Sequence, residues 1–229
     1  MAINVKVNPV LNSRYLSFHS ASIDTISQTQ PTNNPQILVP KVDYTVAMKR
    51  ILIIGSSGSG KSTLARQLGD ILNLPVIHLD KYFWKPDWVR TPYSEWSHMV
   101  EDFVAKDKWI LDGNYRNTLD VRLKAADTII FLDLPPWICT WRAMKRRIMY
   151  YNESRPDMAK GCKEKIFDPH FPKFMKWIWN YPKRAKPQIF FQLNRLPKEK
   201  QVIWLRSPKE VKLFLINPTF YKSQALPQV

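Results

Sequence analysis

The 229-residue sequence is short of cysteine. It has two, Cys139 and Cys162, and no C-x-x-C pair. That excludes a disulfide framework and favours a reducing compartment, here expected to be the cytoplasm. Histidine is sparse too. His19, His78, His98 and His170 are scattered without metal-ligand spacing, so each reads as an ordinary polar residue. No apolar run approaches the ~18 residues that span a bilayer, so no membrane partner is expected. The third shortage is of acids, with 19 Asp and Glu against 35 Lys and Arg and a formal net charge of +16. Such a chain attracts polyanions of any kind, nucleotides and nucleic acids alike, so charge alone does not choose between them. The hydrophobic fraction of 45% is ordinary for a globular protein, and the length allows one or two domains with a sizeable core.

What is present is concentrated between Lys49 and Leu68. Residues 50–54 are a short, apolar, β-branched run, the pattern of a buried strand. Gly55, Ser56, Ser57, Gly58, Ser59, Gly60, Lys61 and Ser62 then fit G-x-x-x-x-G-K-[ST], with Thr63 following. Leu64, Ala65, Leu68, Ile71 and Leu72 continue at helical spacing. The glycines let the backbone curl around an anion. The loop amides and the positive end of the helix then face phosphates. Lys61 is expected on the β- and γ-phosphates of ATP, and Ser62 on a magnesium ion.

The rest of the chain alternates strand and helix patterns. Residues 1–47 are rich in Ser, Asn, Thr and Pro with no sustained period. They read as a disordered or artefactual extension, with Met48 as the expected true start. Residues 69–74 read as a helix end and turn. Residues 75–80, 109–112 and 128–133 read as strands, each ending in an aspartate: Asp80, Asp112 and Asp133. Aspartates there fall on the ligand edge of an open parallel sheet. Residues 201–205 give a fifth strand. The aromatic, basic stretch from Tyr82 to Trp88 either stacks on a ring or caps the core. Thr91-Pro92 supplies a cap and a first-turn proline for a helix whose stripe of Trp96, Met99, Val100, Phe103 and Val104 reads as core. A helix over 136–151 carries Arg142 and Arg146 four residues apart on one face. Residues 152–172 break into Pro, Gly and charge, and read as a mobile lid carrying Arg155. Between 173 and 196 tryptophans interleave with lysines and arginines, and the Trp and Ile side chains are expected in the core. Ser207-Pro208-Lys209-Glu210 is a capping box that starts a last helix, to about residue 215. A frayed tail from residue 217 completes the chain. The expected architecture is a three-layer α/β fold over 48–216, with a five-stranded parallel sheet.

These motifs resemble the adenylate-kinase-like P-loop proteins. More narrowly, they are similar to the small bacterial proteins called DNA topology modulation proteins. The resemblance rests on residues 48–54, the phosphate loop, His78-Leu79-Asp80 with Phe83-Trp84, and Asp112-Gly113-Asn114-Tyr115. It also rests on Arg155-Pro156-Asp157-Met158, on residues 176–182, and on Leu205-Arg206-Ser207-Pro208. In the nucleoside monophosphate kinases a D-G-x-x-R segment places an Asp near Mg²⁺ and an Arg on the acceptor phosphate, which implies those roles for Asp112 and Arg116. An R-x-x-x-R pair that serves the phosphates there implies the same for Arg142 and Arg146. The sequence departs from the adenylate kinases at Asn114-Tyr115, where they have Phe-Pro, and over Tyr82 to Trp88.

The expected function is therefore γ-phosphoryl transfer from ATP, with Mg²⁺, to a nucleotide or related small acceptor. Lys61 and the loop amides hold the donor phosphates. Ser62 and Asp112 arrange the metal. Arg142, Arg146 and either Arg155 or Arg147 offset moving charge. Asp80 orients or deprotonates the acceptor. The rival expectation is a nucleic-acid-binding regulatory ATPase, supported by net charge and by the Trp- and Lys-rich stretch 173–186. Weak, non-specific nucleic-acid binding is expected in either case.

Overall fold

The computed structural model describes residues 48–165, 167–221 and 226–227. The expected extension, 1–47, lies outside the described residues. Strand β1 (Arg50–Gly55) is followed by the loop 56–60 and helix α1 (Lys61–Leu72). Strand β2 (Val76–His78) leads into a short helix α2 (Asp80–Phe83). A two-residue hairpin, β3 (Trp84–Lys85) and β4 (Val89–Arg90), precedes helix α3 (Tyr93–Val104). Strand β5 (Trp109–Asp112), helix α4 (Leu119–Ala125), strand β6 (Thr128–Leu132) and helix α5 (Pro136–Met149) follow. Helices α6 (Phe171–Trp179), α7 (Tyr181–Arg184) and α8 (Lys186–Asn194) then lead to strand β7 (Gln201–Leu205) and helix α9 (Pro208–Ile216).

The five long strands form one parallel sheet in the order β2-β5-β1-β6-β7. The expected three-layer α/β architecture with a five-stranded parallel sheet is therefore the one observed. Strand β1 is central and buried on both faces, as its uninterrupted apolar run requires. Ile51 and Ile53 face one core with Leu64 and Leu68 of α1, Cys139 and Ala143 of α5, and Phe214 of α9. Leu52 and Ile54 face the other, with Trp96 and Val100 of α3, Leu123 of α4 and Phe190 of α8. The α3 stripe is core, as its spacing predicts, with Trp96, Val100 and Phe103 buried.

The helix end and turn expected over 69–74 is found there: α1 runs through Gly69 to Leu72, and Asn73 closes it in the left-handed conformation. Gly69 is there for close approach: a Cβ would stand 2.5 Å from Val76 Cγ2. Three local expectations are corrected. Thr91 does not cap α3, because its hydroxyl donates to the Tyr82 carbonyl at 2.9 Å and fastens the hairpin instead. Strand β2 stops at His78, so Asp80 opens a helix rather than ending a strand. Trp177 and Trp179 are not core: 37% and 55% exposed, they lie outside while Ile178 is buried. The capping box at α9 forms in a shifted version. Ser207 accepts from the Glu210 N–H at 3.2 Å, and the Glu210 carboxylate returns to the Arg206 N–H at 2.9 Å.

The aromatic stretch caps the core. Phe83 packs edge-on to Trp96 and against Tyr115, with ring centroids 5.2 and 4.4 Å apart. The hairpin also grips the segment expected to be a lid. The Trp88 indole donates to the Lys163 carbonyl at 3.1 Å, and Cys162 Sγ lies 3.3 Å from the Lys85 carbonyl. Among the described residues, no helix is long and apolar enough to cross a membrane.

Candidate active site

The central strand ends at Gly55 in the middle of the sheet's carboxyl edge. The chain goes to β5 on one side of β1 and then crosses to β6 on the other, so this edge is a topological switch point, where open α/β sheets leave a crevice. The loop 56–60 fills the mouth of that crevice. Gly58 and Gly60 have φ of 79° and 97°, the region glycine reaches without penalty. A Cβ on Gly58 would stand 2.1 Å from the Cys139 carbonyl oxygen, so only glycine lets the loop rest on α5. Ser59 Oγ is buried without a hydrogen-bond partner, an orphan acceptor and donor inside a cradle of amides.

One cavity of about 520 Å³ runs along this loop. Ser57, Gly58, Ser59, Gly60, Lys61, Ser62 and Thr63 all line it. Asp80, Asp112, Arg142, Arg146 and Arg155 reach it from α2, β5, α5 and the segment after α5. Pro208, Val211 and Leu215 of α9 also line it. Sequence positions more than 90 apart thus meet at a single site. Gly55 and Ser56 lie just beneath, and the Ser56 carbonyl accepts a 3.0 Å hydrogen bond from Lys61 Nζ.

The electrostatics suit an anion. Burial pulls the Lys61 ammonium below its ordinary value, against the pull of Asp80 and Asp112, and the nearby Arg146 lowers it further. Arg146 is brought down to about 10, first by burial and then by its neighbour Arg155. Cations held this close together and away from water favour an arriving polyanion. The Arg142 guanidinium donates to the Ser59 carbonyl at 3.3 Å and so sits at the loop itself.

The carboxylates are held by residues that sequence reasoning missed. Asp112 Oδ1 lies 2.8 Å from His78 Nδ1, so this histidine is no bystander. The Tyr115 hydroxyl donates to the Asp80 carboxylate. Burial, and then Asp80, push the Tyr115 phenol far above its ordinary range, which keeps it a donor. Burial likewise raises the Asp80 carboxyl, in spite of Tyr115, Arg155 and Lys61. The Asn114 side chain clamps the start of the loop, accepting from the Gly55 N–H at 3.0 Å and donating to the Gly55 carbonyl at 2.6 Å. Beneath Gly113, Asn114 and Tyr115 lies Arg122, fully buried, which donates to the carbonyls of all three at 2.7–2.9 Å. The sequence flags His78, Asn114 and Tyr115 only as members of the motifs that carry the resemblance, and gives no signal for Arg122.

Three candidates are placed elsewhere. Arg116 is exposed and lines a different cavity. Arg147 is structural: it pairs with Asp168 at 3.1 Å and Glu164 at 3.8 Å, with its guanidinium 4.1 Å from the Phe171 ring centre. Asp133 accepts from Lys186 at 2.7 Å and from the Trp204 indole at 3.0 Å, and so braces β6 against β7. The segment after α5 is stitched down. Bridges join Tyr151 to Glu164 and Ser154 to Lys163, and Arg155 pairs with Glu164 at 3.1 Å and Asp157 at 3.4 Å. Asp157 also lines the cavity. Burial works to raise its carboxyl, but Arg155, Ser62 and Arg146 outweigh it and hold it below the ordinary range.

The sequence matches no protein-family model. It matches no curated protein either. Among solved structures, the chain is similar to shikimate kinase from Bacteroides thetaiotaomicron, at 16% identity and a TM-score of 0.48 over 75% of this chain and 97% of that one. It is also similar to a gluconokinase from Sinorhizobium meliloti 1021, at 13% identity and a TM-score of 0.41 over 75% and 94%. Shikimate kinase from Acinetobacter baumannii, in complex with shikimate, gives 12% identity and a TM-score of 0.45 over 77% and 97%.

Proposed function

We propose that the chain is an ATP-dependent small-molecule kinase. One observation carries the proposal: the phosphate loop, Asp80 of α2, Asp112 of β5, Arg142 and Arg146 of α5, and Arg155 of the segment after it line a single cavity. Phosphoryl transfer needs positioning and charge neutralisation more than a covalent residue, and this is the equipment for both. The loop amides and Lys61 hold the β- and γ-phosphates of ATP. Arg142, beside the loop, and Arg146 and Arg155, deeper in, offset charge on the transferring group. The acceptor oxygen bonds to the γ-phosphorus as the bridging bond to the β-phosphate breaks, and the acceptor proton passes to Asp80. Tyr115 aims the Asp80 carboxylate. The resemblance to adenylate-kinase-like proteins puts nucleotides first among acceptors.

Magnesium fits this site only as an ion shared with the substrate. Among the described residues, no group of three His, Cys, Asp or Glu side chains could hold a metal alone. Ser62 and Asp112 would hold it, with phosphate oxygens and water completing the shell, the usual arrangement for this ion. Bound there, it neutralises phosphate charge. Residues 152–172 are assigned the role of lid, with Arg155 exchanging its carboxylate partners for phosphate oxygens.

The test is a screen of nucleosides and nucleoside monophosphates with MgATP, reading ADP release above basal hydrolysis. Acceptor-dependent ADP release is expected. Hydrolysis that no acceptor stimulates would reduce the protein to a simple NTPase.

The raised Asp80 carboxyl gives a pH signature. Turnover should fall on the acid side through a pH above the usual carboxylate range, and Asp80→Asn should erase that limb. The sign for stability is opposite to that of a salt-bridged acid. Folded Asp80 keeps its proton to higher pH than unfolded Asp80 does, so stability declines as pH rises from the ordinary value through the raised one. Thermal melts across that window should show the decline in the parent and not in Asp80→Asn.

DNA offers a control. At +16 the protein should bind duplex DNA at low salt by counterion release. A kinase should lose about tenfold or more of that affinity between ~50 and ~200 mM salt and show no change in ATP turnover on DNA addition. Tight binding at physiological salt that responds to MgATP would favour the regulatory ATPase.

A further inference from the structure

A second cavity, of about 740 Å³, shares no lining residue with the first. Its charged and amide side chains are Asn114, Arg116, Asn117, Arg184, Gln188 and Gln192. Trp177, Tyr181 and Phe191 supply aromatic wall. No carboxylate lines it. Among the described residues, neither Arg116 nor Arg184 is in an ion pair. The Arg184 guanidinium instead lies over Trp177, 4.8 Å from the ring centre. Trp177 is 37% exposed and Phe191 53%.

These groups describe a ligand. Two guanidiniums without carboxylates select a phosphate or carboxylate, which their planar forks bind in pairs of hydrogen bonds. Arg184 and Phe174 lie on Trp177, at 4.8 and 6.0 Å, and Arg195 lies over Phe191 at 5.1 Å, so the part-exposed rims of these two rings are the aromatic wall against which a flat ring packs. Amide side chains offer both donors and acceptors to its edge. The cavity also touches the phosphate loop. Ile54, one of its apolar lining residues, is the residue before Gly55, and Asn114, which also lines it, holds both backbone groups of Gly55. A ligand that shifts Asn114 therefore shifts the first residue of the loop.

We propose that this cavity binds a small planar anion, and that its occupancy is linked to nucleotide binding at the phosphate loop through Asn114. The link is reciprocal: whatever factor the anion applies to nucleotide affinity, the nucleotide applies to the anion.

The experiment is calorimetric titration of the full chain with uridine monophosphate, orotate, uridine and orthophosphate. Each titration is run alone and with a saturating non-hydrolysable ATP analogue. The two ring anions share a pyrimidine and differ in carrying phosphate or carboxylate, so they separate the two sources of charge. At least one should bind at one site, tenfold or more tighter than orthophosphate or uridine, and should still bind when the analogue is present. Its affinity should change with the analogue by the same factor as the analogue's affinity changes with it. Arg116→Gln combined with Arg184→Gln should weaken it tenfold or more with unchanged circular dichroism. Trp177→Leu provides a second variant that removes the ring wall and leaves both charges.

The proposal is overturned if neither ring anion saturates, if the analogue displaces the anion outright, or if both variants bind as the parent does. Binding with no shift in analogue affinity would remove the link to the loop. The analogue titrated alone reports separately on the phosphate loop, so failure of the kinase assignment is distinguishable from failure of this one.

Discussion

Replacing Lys61 with alanine should lower phosphoryl transfer by on the order of 10²–10³-fold, the usual cost of one preorganised donor to a developing charge. The cause is local. Lys61 is the one lysine that the loop motif carries, and its ammonium is poised between the Ser56 carbonyl and the carboxylates of Asp80 and Asp112. Stability should respond in the other direction. Burial lowers the pKa of this lysine in the folded chain, so its charge is carried at a cost at every pH below the lowered value. That cost is relieved only as pH rises toward 10.5, the unfolded value. At neutral pH, Lys61→Met, which keeps the apolar stem, should melt at the parent's temperature or above it while losing turnover as alanine does. Stopped assays of ADP release beside thermal melts measure both. Near-parental turnover in a folded variant would remove the loop lysine from the mechanism, and with it the kinase assignment.

The second large effect is on stability. Arg122 is buried with no carboxylate, and burial brings its guanidinium down to about 9. It is retained because it serves four carbonyls, those of Gly113, Asn114, Tyr115 and Thr118, at 2.7–3.2 Å. Arg122→Met keeps the volume and removes every donor. Each orphaned carbonyl costs about 1–3 kcal/mol, and some will find water, so a loss of about 3–5 kcal/mol is expected. For a domain of this size that is a fall in melting temperature on the order of 6–20 °C. Turnover should drop as well, even where the variant is folded. The same loop presents Asn114 to Gly55 and Tyr115 to Asp80. Arg122→Lys should recover little, because one ammonium cannot reproduce the fork. A melting temperature within a degree or two of the parent would show that the loop holds itself.

The phosphate loop and the sheet are legible in the sequence because their causes are local. A buried β-branched run, glycines at fixed offsets and an amphipathic helix act within about twenty consecutive residues. Strand β7 and the Ser207 cap were legible for the same reason. Tyr82 to Trp88 was not, because the same aromatic composition serves a ring-binding loop and a hairpin that caps the core. Its outcome was decided by Phe83 meeting Trp96 and Tyr115.

The side chains that finish the site lay beyond sequence reasoning in kind. His78 meets Asp112 across 34 residues, Tyr115 meets Asp80 across 35, and Asn114 meets Gly55 across 59. Nothing in the neighbourhood of any of these residues announces its partner, since the pairing exists only once β5 lies between β2 and β1. The same register sends Arg116, whose spacing from Asp112 fits an acceptor-phosphate role, to another cavity. Sequence alone determined where the glycine loop proposed to hold phosphates would form, because a loop's backbone conformation follows from its own glycines. Tertiary structure decided which carboxylates and cations surround them, because that depends on which strands are neighbours.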